Sequence, residues 1–252
     1  MGTWICHLRI ADRLLAAIPG LDETAFIYGN LAPDSGIPNE TWTEFDPPKE
    51  VTHYLRKGEG ESEIHDLTFY REYVSPLSAQ DGLTRYSFIF GYHCHLVCDT
   101  LWAKCIGHAT HKIYAEEIAA DKYKAWDRIK DDWYGLDQIY LRDHPENAFW
   151  RVVAVTPDPP SYLPFIKKAA LSQQLDHIRK FYGQPDAQWF IQRPYPYLNE
   201  GTMTRMVNQI IEAILYLQPK LKNILELDSY KSSADILPEK WIRPFQAPLG
   251  DN

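Results

Sequence analysis

The chain is predicted to be all-α, a multi-helix bundle joined by long Pro-rich loops. Three observations carry that expectation. Apolar residues recur at helical spacing in most segments, strand-like alternation is scarce, and prolines punctuate the stretches between periodic segments, as at 157–164 and 185–196.

The elements follow in order. Residues 3–18 place Ile10, Ala11, Leu14, Leu15 and Ile18 on one stripe, with Thr3 as a cap and Pro19-Gly20 as a stop. His7 lies on that stripe, either as a buried hydrogen-bonded histidine or as a ligand. A short helix from its cap Asp22 to Asn30 ends at Ala-Pro-Asp-Ser-Gly, where Pro33 and Gly36 force a turn and leave Asp34 at a loop edge. Residues 35–52 read as irregular, and Trp42 and Phe45 within them suit a loop packed over a site. Helical spacing resumes from Ile64 to Val74, with His65-Asp66 at its start. The central helix spans Leu83 to about Ile106, and Gly107 loosens it before His108 and His111. A long charged helix runs from about Ala115 to Leu141. Beyond the prolines come helices near 165–182 and 200–217. The tail after Asp228 is irregular, yet Trp241 and Phe245 suit packing on the body. Together these form one helical domain over 1–252, with a core at about 3–150 and a helical extension at about 165–252.

Composition bounds what such a domain does. The 252 residues are 45% hydrophobic and 24% charged, with a net charge of −8, which gives no footprint for wrapping a nucleic-acid backbone. No apolar run approaches the roughly 18 residues of a membrane span. The opening Met-Gly-Thr-Trp-Ile-Cys-His lacks the features of a secretory signal, and Cys6 stands where a myristoylation signal needs Ser or Thr, so a cytoplasmic location is expected. Cys6, Cys94, Cys98 and Cys105 fit that compartment as reduced thiols; Cys94 and Cys98 share a helix face, as small buried hydrophobes or as zinc thiolates.

The stretch Gly91-Tyr-His-Cys-His-Leu-Val-Cys-Asp-Thr-Leu-Trp carries the most chemistry. His95 and Asp99 are four residues apart, so a helix stacks them on one face, as a hydrogen-bonded pair or as a grip on one cation. Their neighbours Phe88, Phe90, Leu96, Val97, Leu101 and Trp102 make a carboxylate costly unless it is paired or metal-bound. His93 points away from that face and reads as a core residue. His7, Asp34, His53, His95 and Asp99 together supply the nitrogen and oxygen donors that zinc accepts, and a bundle can aim them at one point.

The ordered set His7-Leu-Arg-Ile-Ala11, Gly29-Asn-Leu-Ala-Pro-Asp34-Ser-Gly, Thr52-His53-Tyr54 and Gly91-Tyr-His-Cys-His95-Leu-Val-Cys-Asp99 resembles the bacterial zinc-dependent phospholipase C family. The likeness covers roughly residues 3–150. It implies an all-helical domain holding up to three zinc ions. Asp34, His53, His95 and Asp99 would hold one ion, His7 and a shared Asp99 a second, and His108, His111 and Glu116 a third. Two departures reduce the expected count to one or two ions. Trp4 is internal where secreted members use the amine of an N-terminal tryptophan, and His111 and Glu116 are five residues apart where the family's helix motif has four. The implied reaction is metal-assisted hydrolysis of a phosphate ester, most readily a diester, in a small-molecule or lipid substrate. Asp34 would orient or deprotonate the attacking water. Two other readings stay open. One is a helical His-Asp metal phosphohydrolase, for which His65-Asp66 offers the dipeptide. The other is a non-catalytic, metal-stabilised binding module.

Overall fold

Side-chain caps set where the first helices begin. Thr3, in extended backbone, accepts from the Cys6 amide at 3.2 Å and starts α1, Trp4–Ala17. Asp22 does the same for the Ala25 amide at 3.0 Å and starts α2, Glu23–Leu31. The computed structural model describes residues 1–40, 44–55, 63–183 and 191–245. Trp42 and Pro185 lie outside the described residues.

After α2 a short 3₁₀ turn, Ala32–Asp34, carries Pro33 at its start. The segment expected to be irregular contains a two-stranded antiparallel ladder, β1 (Ile37–Pro38) with β2 (Phe45–Asp46), and a single helical turn, α3 (Lys49–Thr52). α4, Asp66–Phe69, opens into a wider π-type turn over Tyr70–Val74. α5, Leu83–Trp102, is the central helix, and residues 87–102 of it are all buried. Gly107 does not break it. A π-type turn over Ala103–Gly107 absorbs one extra residue through a bond from the His108 amide to the Ala103 carbonyl, and α6 follows at His108–Ile113.

The charged helix expected from 115 to 141 is two helices, α7 (Ala115–Ala120) and α8 (Lys122–Asp143). Asp121 divides them, because its carboxylate caps the Lys124 amide at 3.0 Å and holds its own backbone extended. α9 (Lys168–Gly183) and α10 (Glu200–Leu221) complete the bundle. The tail packs on the body, as expected. Trp241 is buried, the Phe245 amide donates to the Cys105 carbonyl at 3.1 Å, and Asp66 accepts the Ser233 amide at 2.9 Å.

The tightest helix pair is α2 on α5, and glycine makes it possible. A Cβ at Gly29 would lie 2.0 Å from the Phe88 carbonyl oxygen, and one at Gly91 would lie 2.3 Å from that of Phe26. The two backbones therefore touch, which sets the end of α2 directly against the middle of α5. One continuous apolar core extends from Ile5 on α1 to Trp241 in the tail.

Candidate metal centre

Four segments bring donors to one buried point. α5 supplies His95 and Asp99, one turn apart, with His95 Nε2 3.1 Å from Asp99 Oδ2. α1 supplies His7, whose ring stacks on that of His95 at 3.8 Å and whose Nε2 lies 3.4 Å from Asp99 Oδ1. The 3₁₀ turn after α2 supplies Asp34, and the end of α3 supplies His53. His53 Nε2 lies 3.4 Å from Asp34 Oδ1, 3.5 Å from Asp99 Oδ2 and 3.4 Å from His95 Nε2.

Four of the five donors are aimed by a second contact. Helix ends leave carbonyls free to accept, and the Asn30 carbonyl, in the last turn of α2, takes His95 Nδ1 at 2.7 Å, which turns Nε2 inward. Thr52 Oγ1 meets His53 Nδ1 at 2.9 Å with the same result. Tyr92, also on α5, donates its hydroxyl to the Thr52 carbonyl, so the central helix fixes the turn that presents His53. The chain then leaves the site through Tyr54, in the left-handed region at φ 54°. Trp4 Nε1 donates to Asp34 Oδ2 at 2.8 Å, and the Gly2 amide donates to Asp99 Oδ1 at 2.9 Å.

Burial and charge oppose one another here. Burial disfavours charge on Asp99, but His95, His53 and His7 outweigh it and hold the carboxyl well below its ordinary range. Burial likewise opposes charge on Asp34, yet the His53 contact and the nearby His95 hold it at about 2. His53 moves up, since Asp34 and Asp99 overcome its burial. His7 moves down, through burial and then the adjacent His95. The carboxylates are charged, and burial favours the neutral His7 imidazole, which has a lone pair to give.

Part of the cluster lacks hydrogen-bond partners. Neither ring nitrogen of His7 is hydrogen-bonded, nor is Asp99 Oδ2, although all three atoms are buried. Orphaned buried polar atoms cost about 1–3 kcal/mol each, and bound cations would take Asp99 Oδ2 and one of the two His7 nitrogens. Two neighbouring donor groups have the reach for an ion, Asp34 with His53 and His95, and His7 with Cys98 and Asp99. The donor set of imidazole, carboxylate and thiol is the set zinc takes.

The other sequence candidates lie elsewhere. His108, His111 and Glu116 are exposed on α6 and α7, His111 stands edge-on to Trp126, and none of the three joins the cluster. Asp66 is occupied by the Ser233 amide, and burial raises it to about 6 against that bond. His93 is core, packed edge-on to Tyr70. His177 and His144 lie at the surface, beside Trp4 and Tyr140. Sequence reasoning missed the contacts of Trp4 and Thr52, whose partners are fixed only by tertiary packing.

A helical bundle that converges three imidazoles and two charged carboxylates on one interior point defines a helical metal-binding protein of the zinc type. The model of the family described as zinc-dependent phospholipase C matches residues 6–136. With just over half of its length matched, the chain belongs to that family, and with it to the zinc-dependent hydrolases. No curated protein and no solved structure matches significantly. Among the described residues, no helix is long and apolar enough to cross a membrane.

Proposed function

We propose that the chain hydrolyses phosphodiester bonds in a phospholipid-class substrate, using two zinc ions that share Asp99. The observation that carries the reading is the placement of the two Asp99 oxygens. Oδ1 faces His7, while Oδ2 faces His53 and His95. One carboxylate spanning two donor groups is the layout a two-ion phosphoryl-transfer site needs. His53, His95 and Asp34 would hold the first ion and His7 the second. Bound zinc supplies an activated water and a Lewis acid for the phosphoryl oxygen.

The protein's own groups then set direction and access. Asp34 is the open edge of the cluster, with a side chain 17% exposed where those of His53, His95 and Asp99 are 1% or less. Trp4 pins Asp34 Oδ2 and leaves Oδ1 turned toward His53, where it would bind the first ion and orient a water beside it. The Trp4 ring, edge-on to His177 and Phe181, gives that edge an apolar border suited to a lipid. The four free thiols, all buried, support a reducing compartment such as the cytoplasm.

The test assays purified protein on bis-p-nitrophenyl phosphate and on phosphatidylcholine vesicles, after chelation and again after zinc is restored. Turnover is expected only with zinc and is expected to fall steeply in Asp99→Asn. Full zinc occupancy with no turnover on either substrate would refute the proposed activity.

A further inference from the structure

We infer that Cys98 is a thiolate ligand, completing the ion site formed by His7 and Oδ1 of Asp99. The inference rests on the reading that this cluster holds zinc, and it assigns a donor outside the set of histidines and aspartates. Ligand atoms of His7, Cys98 and Asp99 all lie within 4.8 Å of one another, and all three residues are buried. Neither ring nitrogen of His7 has a hydrogen-bond partner, and Nε2 faces Asp99 Oδ1 at 3.4 Å, so the imidazole is a buried donor already turned toward the group.

The packing around Cys98 singles it out among the four cysteines. Gly2 lies over the group, and a Cβ there would come 3.3 Å from His7 Nε2 and 3.7 Å from Cys98 Sγ. The absence of a side chain at position 2 keeps this side of the group open while its amide holds Asp99 Oδ1. Cys6 meets Cys98 thiol to thiol but does not belong to the His7–Asp99 group. Cys105 is turned to the Trp241 carbonyl and the Gln209 amide, away from the site.

The chemistry balances without a further reactant. On binding, the Cys98 S–H gives its proton to solvent and the sulfur lone pair goes to the cation. A soft thiolate beside an imidazole and a carboxylate would prefer zinc, cobalt or cadmium over magnesium or calcium. The Asp34, His53 and His95 group has no sulfur, so the two halves of the cluster would differ in metal preference.

Cobalt(II) titration of the full chain tests this by absorption, with bound metal counted independently. The expected result is visible d–d absorption from both ions, with a near-ultraviolet thiolate-to-cobalt charge-transfer band that tracks one of the two. Cys98→Ser and Cys98→Ala lose that band while Cys6→Ser keeps it, and circular dichroism checks that each variant is folded. Two bound cobalt ions without a charge-transfer band in the wild-type protein overturn the assignment of Cys98 and leave the metal centre standing. Loss of the band in Cys6→Ser with retention in Cys98→Ser also overturns it. No cobalt bound by folded wild-type protein overturns both the assignment and the metal centre on which it rests.

Discussion

Thr52→Val isolates the contribution of one aiming contact to the metal centre. Thr52 is buried, and its Oγ1 stands 2.9 Å from His53 Nδ1. Valine keeps the branched shape and the backbone carbonyl that Tyr92 holds, and removes only the oxygen. With no acceptor at Nδ1, the ring loses the contact that keeps Nε2 turned toward Asp34, Asp99 and His95. Losing such a supporting partner costs about 10–100-fold in metal affinity, or about 1.4–2.7 kcal/mol. The neutral hydrogen bond contributes about 1 kcal/mol to folding, so the metal-free variant is expected to lose only a few degrees in Tm. Zinc affinity is measured by competition with a chromophoric chelator, with Thr52→Ser as the control that restores the hydroxyl. Wild-type affinity in folded Thr52→Val, or an equal loss in Thr52→Ser, would show that His53 is not aimed by Thr52.

Two further perturbations probe the frame around the cluster. Gly91→Ala forces a Cβ to 2.3 Å from the Phe26 carbonyl oxygen, so α2 and α5 must separate. Such overpacking costs about 1–3 kcal/mol or more, and Asn30 moves away from His95 with α2. Thermal unfolding and zinc titration are both expected to show the loss, and unchanged zinc affinity would disconnect the helix contact from the site. Asp137 offers a pH test. Burial pushes its carboxyl up to about 7 despite hydrogen bonds from Tyr182 and Thr3. The unfolded value is about 3.9, so the folded chain takes up the extra proton between those limits. The stability it contributes is complete below about pH 4 and is lost as pH rises through about 7. Asp137→Asn is expected to flatten the fall in metal-free Tm between pH 5 and 8, and a fall parallel to the wild type would sink the assignment.

The helical architecture was legible because caps and periodicity are local. Thr3 and Asp22 start their helices as their side chains dictate, and α5 follows the long apolar run from Phe88. The deviations are also local, but too subtle for pattern alone. Asp121 reads equally well as one more charge on a solvated helix or as a cap, and only its extended backbone decides. Gly107 looks like a breaker, yet a single widened turn carries the helix through.

The site divides along the same line between local and tertiary information. His95 and Asp99 are visible because spacing on one helix makes them neighbours. Asp34 and His53 sit on short turns where no periodicity points at a target, and only the order of motifs placed them in the set. Cys98 is the harder case. Residues adjacent on a helix diverge by about 100°, so Cys98 and Asp99 on α5 alone should face different partners. His7 changes that. Carried on α1 and stacked on His95, it enters at the angle where a thiol and a carboxylate from consecutive residues lie within reach of one imidazole. The same α1 carries Trp4 to Asp34 one turn earlier, so a single helix bears on both ends of the cluster. The proposed second ion site therefore depends on the approach of α1 to α5, and a displacement of α1 would affect His7, Cys98 and Asp34 together.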